Sequence, residues 1–278
     1  MSEHILSHLS QADPVLGGVI RAVGPCLIEL EADCHPFQML ARAIAHQQLN
    51  GTAANTILAR LIASCGKGAF PTPQMVLAAS VESLRGVGFS FAKVAALRDL
   101  ATKTIAELVP AAPILALLPD EEIIARLTQV RGIGRWTVEM MLMFRLGRPD
   151  VLPVDDFGVR AGFRAAYGLR SMPHPKALAI WGERWSPYRS TAAWYLWRAI
   201  ELKRKGLLPE PAERIRLPRI RKRRRAHAAS ATPRPRLRRV ARALRRGAAS
   251  SAPLPRSGAR TGARPRPARR SRAPASKK

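Results

Sequence analysis

Through nearly all of the first 205 residues, apolar side chains recur three and four positions apart, and runs alternating apolar with polar are missing. That spacing gathers apolar residues on one face of a helix, whereas alternation would gather them on one face of a strand. The pattern predicts helices over 36–48 (Phe37, Leu40, Ile44), 53–64 (Ile57, Leu58, Leu61) and 91–108 (Val94, Leu97, Leu100, Ile105, Leu108). It continues over 120–130, 134–146, 156–167, 175–185 and 191–203. The segment from Asp120 opens with acids, which suit the positive end of a helix. Only 26–30 has any strand character. The expected class is all-α, with two helical lobes and a cleft between them.

A chain of 278 residues can bury a sizeable core, as one large domain or two small ones. Its charge is concentrated at one end. Of the 47 Lys and Arg, 24 follow residue 210, where Glu213 is the single acid; the body keeps 23 basic against 18 acidic residues. After Pro209 the composition turns to Arg, Ala, Pro and Ser, with runs such as Arg221-Lys222-Arg223-Arg224-Arg225. So few apolar groups cannot offset the entropy of ordering such a segment. The expected organisation is a folded domain over 1–208 and a disordered basic tail over 209–278. The tail would bind DNA or other polyanions without sequence preference, or serve only solubility or localisation.

Cys26, Cys34 and Cys65 fit neither a disulfide framework nor a zinc site. No apolar run approaches membrane-spanning length, and Met1-Ser2-Glu3-His4 does not open a signal peptide. A monomer without membrane contact is expected inside the cell, in the cytoplasm and nucleoid or, in a eukaryote, the nucleus.

The chemistry concentrates in two motifs. Val130-Arg131-Gly132-Ile133-Gly134-Arg135-Trp136-Thr137 reads as a tight turn between two amphipathic helices. Its amides and the positive helix end would suit a phosphate, and Arg135 adds charge nearby. An ordinary helix–helix turn would carry the same glycines. Then Pro149 and Pro153 force extended backbone ahead of Asp155-Asp156, where a new helix starts. One acid could cap that helix while the other faces the cleft. Leu84-Arg85-Gly86-Val87-Gly88 is a looser copy of the hairpin, or a helix end followed by a new start. No His, Asp or Glu spacing forms a metal site, and His46 could face DNA.

Gln47-Gln48-Leu49, Gly86-Val87-Gly88, the hairpin 130–137 and Pro153-Val154-Asp155-Asp156 occur in the order seen in helix-hairpin-helix DNA glycosylases. The chain most resembles the 3-methyladenine DNA glycosylase II type, over roughly residues 10–205 and including Trp185 to Ser190 and Trp197. The resemblance implies that Asp156 is the catalytic aspartate and that Asp155 caps or supports it. It implies that Gly132, Gly134 and Thr137 grip a phosphate through their amides, beside Arg135. Carbonyls of Thr128, Val130 and Ile133 match positions that can hold a structural Na+ or K+; no other cofactor is expected. Gln47 and Gln48 fall in the loop that probes the duplex, where either Gln48 or Leu49 would be the wedge.

Trp136 occupies the position where glycosylase–lyases of this superfamily carry their Schiff-base lysine. A tryptophan there, with the four-cysteine cluster of the endonuclease III branch missing, implies a monofunctional hydrolase. Trp136, Trp197, Tyr188 and Met140 are the implied base-pocket residues, with Trp181, Trp185 and Trp194 left to packing. The substrate implied is double-stranded DNA bearing alkylated purines, 3-methyladenine or 7-methylguanine, processed in base excision repair. A glycosylase for deaminated or mispaired bases is the alternative enzyme. A non-catalytic DNA-binding or chromatin-like protein, with Asp156 only a cap, is the alternative outside enzymes.

Overall fold

The computed structural model describes residues 3–28, 30, 35–218 and 220, and among these every regular element is helical. In chain order they are α1 (Glu3–Ala12), α2 (Pro14–Val23), α3 (Pro36–His46), α4 (Gly51–Cys65), α5 (Pro73–Ala78), α6 (Val81–Gly86) and α7 (Phe91–Ile105). Then follow α8 (Ala112–Leu117), α9 (Asp120–Leu127), α10 (Arg135–Phe144), α11 (Phe157–Ala166), α12 (Pro175–Gly182), a 3₁₀ turn (Glu183–Trp185) and α13 (Arg189–Arg204). The described part of 26–30 forms no strand. The short helices α5, α6 and α8 have six residues each, too few turns for periodicity to reveal them. The starts are encoded locally. Asp13, Asn50, Thr72, Ser80, Ser90 and Asp156 each accept an amide hydrogen from the residue three ahead.

The contacts sort the helices into two lobes. In one, α1, α2, α11, α12, the 3₁₀ turn and α13 pack together, so both ends of the folded body meet there. In the other, α7 lies against α3, α5 and α6, and α3 against α4. Helices α9 and α10 form the hairpin. The tightest helix pair is α11 with α13, where a β-carbon at Gly162 would fall on the Leu196 carbonyl oxygen. Only glycine permits that approach.

The first lobe is organised by a buried acid. Asp13 has no solvent exposure, and its Oδ1 caps α2 by accepting from the Leu16 amide at 3.1 Å. Its Oδ2 accepts from Tyr167 Oη at 2.5 Å and from Nε1 of Trp181 and of Trp185, each at 3.0 Å. Trp181 and Trp185 pack in the core as expected, and their indoles also donate to this acid. Their indole N–H groups needed a buried acceptor, which a residue more than 160 positions away supplies. Phe163 stacks on Tyr167 at 4.0 Å and closes the cluster.

The packed body also extends beyond the expected boundary at 208. Leu208, Ile215 and Leu217 pack on the core, Pro209 lies 3.7 Å from a β-carbon placed at Gly18, and Pro211 3.4 Å from one at Gly168. The composition break at 209 hides these few apolar residues among arginines. The rest of the expected tail lies outside the described residues, as does Cys34.

Replacing Asp13 by Ala would strand three buried side-chain donors. At about 1–3 kcal/mol for each unsatisfied group, Asp13→Ala is expected to cost at least about 3 kcal/mol, read from urea unfolding at unchanged m-value.

Candidate active site

The segment that delivers Asp156 is strapped to the start of α13. Ser190 Oγ accepts from the Val151 amide at 2.9 Å and donates to the Arg148 carbonyl at 2.6 Å, while the Ser190 amide donates to the Pro149 carbonyl at 3.0 Å. Arg189 forks onto Asp150 with contacts of 2.8 and 2.9 Å, and Ser186 Oγ donates to the same carboxylate at 2.9 Å. Burial raises the Asp150 pKa, but Arg189 and Ser186 outweigh it and hold the carboxyl below its ordinary value. Pro149 and Pro153 keep the strap extended and add no amide that would need a partner.

Asp156 stands where the strap turns into α11. Its Oδ1 accepts from the Val159 amide at 2.6 Å and from Trp197 Nε1 at 2.8 Å; its Oδ2 accepts from Trp136 Nε1 at 2.8 Å. Helix α10 contributes one indole and α13 the other. The capping role expected of Asp155 thus falls to Asp156, because an N-cap oxygen reaches the amide three residues on. Capping and facing the cleft are not alternatives here: one carboxylate does both. Oδ2, with a single donor, retains acceptor capacity.

Next to Trp136, whose indole donates to this carboxylate, a cavity of about 1290 Å³ opens between α3 and α10; Asp156 itself does not line it. Trp136, half-exposed, lines it with Thr137, Met140, Met141 and Phe144, and Phe144 stacks on Trp197 at 5.8 Å. Across from them stand Gln38, Arg42, His46 and Gln47. Of the four expected pocket residues, Trp136 and Met140 line the cavity, and Trp197 backs Phe144. Tyr188 does not line it. Its ring meets His4 and His8 edge-on at 6.1 and 5.2 Å, in the lobe formed by the chain ends.

The hairpin between α9 and α10 turns at Gly132, whose φ of 79° suits glycine, and Gly134 is the N-cap of α10. Among the described residues the amides of Gly132 and Gly134 have no protein partner, whereas the Thr137 amide donates to the Gly134 carbonyl at 3.0 Å. Two of the three expected phosphate donors are therefore open and the third is engaged. Arg135 is also committed: it pairs with Glu121 at 2.5 Å and Glu139 at 2.9 Å, which raises its pKa. In the protein without DNA its charge is compensated by these two glutamates, while half of the side chain stays exposed. The Val130 carbonyl accepts from the Ile133 amide at 3.0 Å, leaving one lone pair.

Three struts brace this turn. Gln47 Nε2 donates to the Gly132 carbonyl at 2.7 Å, Asp99 accepts from the Arg131 amide at 2.7 Å, and Lys103 bridges Asp99 and the Gln129 carbonyl. Gln47, expected to probe the duplex, is thus engaged with the hairpin. Gln48 takes a left-handed φ of 56°, and both it and Leu49 are exposed. The looser copy at 84–88 is a helix end and a new start: α6 stops at Gly86, and Ser90 caps α7.

The description "HhH-GPD superfamily base excision DNA repair protein" matches residues 41–187, which include most of the cavity's lining, the hairpin and Asp156. The chain belongs to this superfamily. It is 42% identical over 167 residues to DNA-3-methyladenine glycosylase 1 of Schizosaccharomyces pombe, covering 60% of this chain and 73% of that protein. The solved structure of the S. pombe 3-methyladenine DNA glycosylase in complex with abasic DNA superposes with TM-score 0.62 at 38% identity, over 70% of this chain and 95% of that one. A DNA-3-methyladenine glycosidase from Bacillus halodurans gives TM-score 0.66 at 32% identity, over 73% and 92%.

Within this HhH-GPD domain, two cavity walls carry a spacing signal that sequence reasoning passes over. Trp136, Met140 and Phe144 recur every fourth residue on α10, and Gln38, Arg42 and His46 do so on α3. Either set alone looks like an ordinary helix face.

Glu139, buried on α10, has its pKa raised by burial against the pull of Arg135, with Asp155 adding to the rise. The folded state therefore holds this proton more tightly than the unfolded chain. The stabilisation is complete below the ordinary glutamate pKa and is lost as pH rises through the raised value. The wild-type Tm is expected to fall relative to that of Glu139→Gln as pH rises above about 4, measured by thermal melts of both proteins across a pH series.

Proposed function

We propose that this chain is a monofunctional DNA glycosylase that hydrolyses the N-glycosidic bond of alkylated purines, 3-methyladenine and 7-methylguanine, in base excision repair. One observation carries the reading: a carboxylate held by two indole N–H groups and its own helix amide at the side of an aromatic-walled cavity. The names of the S. pombe and B. halodurans relatives support the substrate class.

A base inside the duplex must leave the stack before its glycosidic bond can be reached. The exposed Gln48 and Leu49 suit the gap it leaves, and the open amides of Gly132 and Gly134 suit a phosphate of the same strand. Trp136 and Phe144 offer π faces to the extruded base. Attraction of a cationic methylpurine to such a face contributes about 0.5–2 kcal/mol. Alkylation already makes the purine a good leaving group, so the bond electrons depart with the base without a strong general acid. Positive charge then develops at C1′ of the sugar.

Asp156 Oδ2 supplies the compensating negative charge, and it orients the water whose oxygen adds to C1′ and whose proton is released. Three N–H donors keep that carboxylate fixed while the charge grows, so little reorganisation is needed during the step. Trp136 stands where a lyase would need an amine, and no lysine lines the cavity among the described residues. A covalent imine has no nucleophile there. A monovalent cation on the Thr128, Val130 and Ile133 carbonyls would steady the hairpin. The 24 basic residues beyond 210 suit added contact with duplex DNA wherever the cell keeps its genome.

Free-base release from methylated duplex DNA tests the reading. The wild type is expected to release 3-methyladenine, with strand breaks only after alkali; Asp156→Asn should lose release by at least about 10²-fold while still binding DNA. Tight binding with no release by the wild type would favour the non-catalytic alternative. Truncation after residue 218 should leave single-turnover release intact and flatten the salt dependence of binding. The log–log slope should shrink by about 0.9 for each phosphate that the tail had neutralised. Unchanged slopes would remove the tail from DNA binding.

A further inference from the structure

Gly158 lies two residues beyond Asp156, in the first turn of α11. Its φ lies outside the left-handed region, so the backbone does not require glycine there. Space does. A β-carbon at Gly158 would lie 2.6 Å from Cδ1 and 2.8 Å from Nε1 of Trp197, and 3.1 Å from Asp156 Oδ1. Real β-carbons do not approach other atoms at the first two distances, so Trp197 or α11 would have to give way. Moving α11 away from α13 would open the close packing in which Gly162 seats the Leu196 carbonyl one helical turn further on. The indole is what yields. It is confined on another side by Phe144, so the displacement falls on the hydrogen bond to Asp156.

We infer that Gly158 is a positioning residue of the active site: its lack of a side chain is what allows the Trp197 indole to lie against the start of α11 and donate to Asp156. Gly158 touches neither DNA nor water in this role; it acts through Trp197. Leu196 and Trp197 are consecutive on α13, and Gly158 and Gly162 are one turn apart on α11, so the two glycines form one docking track. Gly162 sets the approach of the helices. Gly158 sets the last contact, between indole and carboxylate. The inference rests on the proposed glycosylase reading for its activity test, but its spectroscopic test is independent of that reading.

The test is Gly158→Ala, with Trp197→Phe and the double variant alongside. Alanine favours a helix over glycine by about 0.8–1.0 kcal/mol, so folding is not the expected casualty, and thermal melts check this. The expected result is a shifted or broadened Trp197 indole N–H resonance, a Tm near that of the wild type, and single-turnover base release slowed on the order of 10²-fold. DNA affinity should be retained. Gly158→Ala in the Trp197→Phe background should add little, because the hydrogen bond it disturbs is already gone. An unmoved indole resonance, or equal losses in the presence and absence of Trp197, would overturn the inference. If Gly158→Ala fails to fold, Trp197→Ala in the same chain is expected to restore folding by removing the clashing indole, and no restoration would overturn the inference. Absence of base release by the wild type would remove the glycosylase reading while leaving the indole shift to decide the contact.

Discussion

Asp13 is a carboxylate without solvent exposure that accepts from a tyrosine hydroxyl, two indoles and a backbone amide. Those donors come from α2, the end of α11, α12 and the 3₁₀ turn, so the interaction ties the start of the chain to its second half. Removing any buried polar group from such a set leaves the others without water and without partners, which is why the set behaves as one unit. The N-terminal helices become part of the lobe that carries Asp156 and Trp197. That lobe supplies the carboxylate and one of the two indoles that hold it.

Asp156 repeats this arrangement at the surface. Each aspartate caps a helix through Oδ1 and gathers two indole N–H groups, but Asp13 is closed off whereas Asp156 keeps acceptor capacity beside a cavity. The difference lies in what surrounds them. Tyr167 and the packed Phe163, Trp181 and Trp185 fill the space around Asp13. Around Asp156 the half-exposed Trp136 leaves room for a ligand. One binding pattern serves a structural anchor in a dry site and a reactive carboxylate in an open one.

Much of this is legible in the sequence. The 3.6-residue spacing marks the long helices, and the glycines at 132 and 134 mark the hairpin. Asp156 stands out by its place after two prolines, though spacing alone leaves the cap to either acid of the pair. The residues that sequence reasoning misplaces share a physical cause: their partners are distant in sequence. Arg135 pairs with Glu139 four residues on, but its second partner Glu121 lies fourteen residues earlier, and the Gln47 side chain meets a carbonyl 85 residues later. Tyr188 looks like a pocket residue, yet its ring faces the histidines of α1. Composition ends the body too early because three packed apolar residues sit close to or inside a basic stretch.

By itself the sequence determined where helices begin, how the hairpin turns and which acids start α11. These depend on caps, glycines and spacings within a few residues, where the chain's own backbone supplies the partner. Tertiary structure alone decided which groups are free to act. It committed the charge of Arg135 to two glutamates, turned Gln47 to the hairpin, gave Asp156 its two indoles, and left the Gly132 and Gly134 amides open. Hydrogen bonding and charge compensation are set by what lies within about 3 Å, and that neighbourhood comes into being only when the lobes have packed.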